Sequence, residues 1–70
     1  MPPLEPGRHN HLTITHAGRN WSGDWKQEGR EVCLSSAYGS KRCAYGRRKP
    51  ELVAADLLRE AVEEWRRGRA

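Results

Sequence analysis

Within nine residues, Lys41-Arg42-Cys43-Ala44-Tyr45-Gly46-Arg47-Arg48-Lys49 sets five cations around one tyrosine, with Tyr38 just upstream. Basic groups neutralise phosphates and release counterions, and a tyrosine ring offers a face to an unstacked base, so this interleaving suits contact with a nucleic acid. The competing reading is a solvated hairpin edge whose cations discourage strand addition. Arg47, Arg48 and Lys49 stand immediately before Pro50. Cations beside the positive end of a helix dipole cost stability and suit anion capture, which favours a ligand. The expected nucleic-acid-binding residues are therefore Lys41, Arg42, Tyr45, Arg47, Arg48, Lys49 and Arg19, with Arg8 joining them if the leading segment folds onto the same side. DNA is the expected nucleic acid.

Other residue sets are weaker. His9, His11, His16, Cys33 and Cys43 supply nitrogen and sulfur ligands in tetrahedral number, but there is no C-x-x-C and no paired histidine spacing to match, so no metal and no cofactor is expected. Cys33 and Cys43 face each other across a hairpin only if paired residue numbers sum to 76, with Tyr38 at the centre of the loop; centring on Gly39 misaligns them by two. Two reduced thiols are the simpler reading. Catalysis needs a nucleophile, or an acid and a base, held by a third group; no such set, no P-loop and no G-x-S-x-G is present, so a non-enzymatic chain is expected.

The elements that position these residues follow from periodicity. Three prolines and Gly7 in the first ten residues suggest a flexible arm over 1–10. Alternation of Leu12 and Ile14 with Thr13 and Thr15 predicts a strand over about 11–16; Trp21 and Trp25 share parity in a second over about 20–26, which Gly23-Asp24 could split. Val32 and Leu34 mark a third over about 31–37, and a short fourth runs over about 41–46. Ala54, Leu57, Leu58, Ala61, Val62 and Trp65 then recur at spacings of three and four, predicting a helix over about 50–67 with Pro50 in its first turn and Gly68 just past its end.

The architecture expected is a small α+β domain over 11–68, an antiparallel β-meander of three to four strands with one C-terminal amphipathic helix packed on one sheet face. If Val32 and Leu34 face the helix, parity places His11, Thr13, Thr15, Ser22, Asp24, Lys26, Glu31, Cys33, Ser35, Lys41, Cys43 and Tyr45 on the outer face, and Ala44 inward. A polar sheet backed by a helix is a plan with which strands enter a DNA groove. Trp21, Trp25 and Trp65 are expected to serve the core.

Seventy residues with ten Leu, Ile and Val and no Phe make that core thin, which invites self-association. The net charge is +4, and residues 1–50 carry nine basic against four acidic groups, whereas 51–70 carry four against five. The positive charge thus precedes the helix. A protein-protein interaction module, a homodimer or an antitoxin-like accessory protein is the alternative, drawing on an exposed tryptophan or on the acidic helix face of Glu60, Glu63 and Glu64. No 18-residue apolar run and no signal-peptide pattern is present, so no membrane association and a cytoplasmic location are expected.

Overall fold

A computed structural model describes residues 10–69 of the chain. Four strands, β1 (Asn10–His16), β2 (Arg19–Glu28), β3 (Glu31–Ser36) and β4 (Gly39–Ala44), form an open antiparallel sheet in the order β1-β2-β3-β4. One helix, α1 (Pro50–Arg69), follows and packs against all four strands. The fold is α+β, with one sheet layer and one helix layer. The arm expected over 1–10 lies outside the described residues except for Asn10, which begins β1.

The hairpins are tight, and each has a local cause. Ala17 and Gly18 form a two-residue turn with φ of 54° and 75°, the combination whose twist matches antiparallel strands and which Asn-Gly serves best. Gly29 at φ 60° opens the equally short Gly29-Arg30 turn between β2 and β3. Ala17 bears a Cβ in the left-handed region, which is unfavourable for L residues. Ala17→Asn is therefore expected to stabilise the protein by about 0.5–1 kcal/mol, raising the thermal midpoint by roughly 5 °C in a scan against the native chain.

The core lies between the helix-facing side of the sheet and one stripe of α1: Trp21, Val32 and Leu34 from the strands, Val53, Ala54, Leu57, Leu58, Ala61 and Val62 from the helix. Val32, Leu58 and Val62 are completely buried, and each contributes about 1.5–3 kcal/mol through removal of apolar surface from water. Leu12, Ile14, Trp25, Tyr38, Tyr45 and Trp65 pack around its rim. Gly23 does not split β2. It is a point of close approach, since a Cβ there would meet Leu58 Cδ1 at 3.3 Å and Ser36 Cβ at 3.1 Å. Gly68 does not end the helix either, because α1 continues through it to Arg69.

The register of β3 and β4 differs from both anticipated pairings. The turn is Ala37-Tyr38, Gly39 and Ser40 belong to β4, and Cys43 lies opposite Val32 while Arg42 lies opposite Cys33. A shift of one residue moves every side chain to the other face. Lys41 and Cys43 therefore face the helix side, Arg42 and Ala44 face outward, and Cys33 and Cys43 lie on opposite faces, where no disulfide can join them.

Candidate nucleic-acid interface

The antiparallel meander brings the β2–β3 turn and the exit of β4 to the same end of the sheet. There the Tyr45 amide donates to the Arg30 carbonyl at 3.2 Å, and the Arg48 amide donates to the Tyr45 carbonyl at 2.9 Å. The Lys49 carbonyl then accepts from the amides of Leu52 and Val53 at 3.0 and 3.2 Å, starting α1 with Pro50 in its first turn. Arg30 is thereby joined through Tyr45 to the segment that carries Arg47, Arg48 and Lys49 into the positive end of α1. All four cations are exposed. Among the described residues, Arg30, Arg47 and Lys49 have no carboxylate partner, so their charge is uncompensated.

The remaining expected site residues are occupied within the fold. Lys41 pairs with Glu64 of α1, and Arg48 with Asp56, which also receives Arg59 at 3.2 Å. Arg42 lies on the outer face between Glu28 at 3.4 Å and Glu31 at 3.7 Å, and its Nε donates to the Cys33 sulfur at 3.3 Å. Tyr45 is half-buried against the core; its hydroxyl donates to the Gly29 carbonyl at 3.2 Å and accepts from Gln27 Nε2 at 2.9 Å, so it closes the sheet end instead of presenting a free ring. Arg19 is not brought to this cluster. It starts β2, whose ten residues at ~3.3 Å each put it about 30 Å from the β2–β3 turn.

The outer sheet face is neutral to acidic. His11 meets Asp24 at 3.2 Å, Thr13 meets Ser22 at 3.1 Å, and the Thr15 hydroxyl donates to Asn20 at 2.9 Å, a ladder of satisfied cross-strand pairs. Lys26 is held by Glu28 at 2.6 Å, and Asp24, Glu28 and Glu31 outnumber Lys26 and Arg42. This charge disfavours insertion of the strands into a DNA groove. Two of the three acids of the helix face are internally used: Glu63 receives His16 at 2.8 Å and Arg66 at 3.3 Å, and Glu64 receives Lys41. The metal-ligand candidates are split between faces, His11 and Cys33 outward, His16 and Cys43 on the helix side, while His9 falls outside the described residues. Among the described residues no three such groups converge, and no helix is long and apolar enough to cross a membrane.

These pairs make the fold acid-sensitive. Lys26 holds the carboxyl of Glu28 below the usual carboxylate range, Arg48 does the same for Asp56, His16 for Glu63 and Lys41 for Glu64. Carboxyls with depressed folded-state values contribute stability that is present above their unfolded values and lost as pH falls through the folded ones. The thermal midpoint is therefore expected to be level between pH 5 and 7 with respect to these groups and to fall below roughly pH 4, as a circular-dichroism melting series would read. Glu64→Gln should flatten the acid limb.

Arg30 is the residue that sequence reading missed. The signal was topological: successive turns of a meander alternate ends, so the Gly29-Arg30 turn had to lie beside the segment leaving β4. No protein-family model, curated protein or solved structure matches the chain.

Proposed function

We propose that the protein is a small, non-enzymatic, cytoplasmic module that binds nucleic acid, DNA foremost, through phosphate contacts at the end of the sheet where α1 begins. Arg30, Arg47 and Lys49 make the contacts, and Arg48 joins them while braced by Asp56. The observation that carries this reading is the Tyr45-to-Arg30 hydrogen bond, which joins the Arg30 turn to the segment that carries Arg47, Arg48 and Lys49 into the start of α1. Lys41, Arg42 and Tyr45 have structural partners and act as supports for the loop, and Arg19 takes no part. Contacts to phosphates fix position without reading sequence, so little base preference accompanies this mode.

A fluorescence-anisotropy titration of labelled duplex DNA, single-stranded DNA and RNA tests it. Three to four phosphate contacts predict an affinity that falls about 40- to 150-fold between about 50 and 200 mM salt. Absence of binding to all three at the lower salt removes the proposal. The second reading, a homodimer or protein partner, rests on the open edges of β1 and β4. It predicts a sedimentation coefficient that rises with concentration without DNA.

A further inference from the structure

At the opposite end of the sheet, Ala17, Arg19, Trp21, Trp65, Arg66 and Arg69 line an open cleft between the β1–β2 turn and the last turn of α1. Its floor is aromatic. Trp21 and Trp65 meet edge to face at 5.8 Å between ring centroids, and Tyr38 stands 5.2 Å from each of them. The Trp21 indole N–H is already committed to the His16 carbonyl at 2.8 Å, which fixes the ring.

Two guanidiniums are seated on this floor, Arg19 at 5.3 Å from the Trp21 ring and Arg69 at 4.7 Å from the Trp65 ring. A guanidinium held this close to an indole centroid is attracted by the ring quadrupole, and part of its rotamer freedom is already given up. Among the described residues neither Arg19 nor Arg69 has a carboxylate partner. Arg66 is shared with Glu63. The carbonyl end of α1 brings only about half a negative charge, less than these arginines supply.

We infer that this cleft is an oxyanion site that takes a phosphate group, with Arg19 and Arg69 presenting their N–H donors to its oxygens. The site is separate from the basic loops, about 30 Å away along β2. The phosphate can arrive as the inorganic ion or on a nucleotide.

The test follows the three indole N–H resonances of the full chain by NMR, while inorganic phosphate or adenosine 5′-monophosphate is added at constant ionic strength. Signals of Trp21 and Trp65 are expected to shift and saturate, and that of Trp25 to stay. Arg19→Gln and Arg69→Gln should each weaken the apparent affinity about tenfold. Arg47→Gln should leave it unchanged, so failure here and failure of DNA binding at the other end are distinguishable. Equal affinity for the two probes identifies the inorganic group as the ligand, and tighter nucleotide binding identifies a nucleotide. Linear drift of all three signals, or saturation that is the same in both cleft variants, overturns the assignment.

Discussion

Glutamine at Arg30, Arg47 and Lys49 together is expected to weaken duplex DNA binding by about two to three orders of magnitude at ~50 mM salt, the largest functional effect the fold predicts. Every phosphate that the variant no longer neutralises takes about 0.9 off the slope of log affinity against log salt, so a slope near −3.6 should fall to about −0.9, the part left to Arg48. Stability should be unchanged or slightly higher. None of the three has a carboxylate partner among the described residues, and removing cations beside the positive end of α1 relieves repulsion. Arg48 is left in place because it holds Asp56, and its loss would mix a binding effect with a folding one. An unaltered salt slope, measured by the same anisotropy titration, would exclude these loops as the DNA-binding surface.

The largest effect on stability is expected where Leu58 presses on Gly23. Leu58→Ala empties a completely buried position and should cost about 3 kcal/mol. A domain of this size has roughly 4–10 kcal/mol in total, so this variant sits near the limit of folding. Gly23→Ala should cost about 1 kcal/mol by itself, because the added methyl meets Ser36 Cβ and Leu58 Cδ1 inside ordinary van der Waals distance. Combined with Leu58→Ala, the same methyl enters the space the leucine left. The contact with Ser36 remains, so the double variant is expected to be about 0.5 kcal/mol more stable than the sum of the two costs implies. Urea unfolding of the four proteins measures that coupling; strict additivity would mean the helix does not press on β2 at Gly23.

How far the residues disclosed this molecule depended on the range of the interaction. The helix could be read because its causes are local, with Pro50 at the start and apolar residues at spacings of three and four through Trp65. The meander could be read from alternation and short turns. Register could not, because Gly39 resembles a turn residue yet occupies β4 at φ 142°, while the less distinctive Ala37-Tyr38 makes the turn. That single displacement turned Lys41 toward Glu64, sent Arg42 to the outer face, and set Tyr45 against the core. Arg47, Arg48 and Lys49 could be read as a cationic run ahead of the helix, and all three are exposed there. Lys41 and Arg42 could not be read as paired, because carboxylates on α1 and on the neighbouring strands reach them only in three dimensions.

The chain order of the layers bears on how the protein is made. β1 to β4 pair only with their sequence neighbours, so the sheet can assemble as each hairpin leaves the ribosome. Among the described residues, the apolar side of that sheet, with Trp21, Val32 and Leu34, is covered by the 20 residues of α1, which are translated afterwards. Until α1 has both been made and left the ribosome, the emerging strands lack that cover and keep their apolar face and open edges exposed.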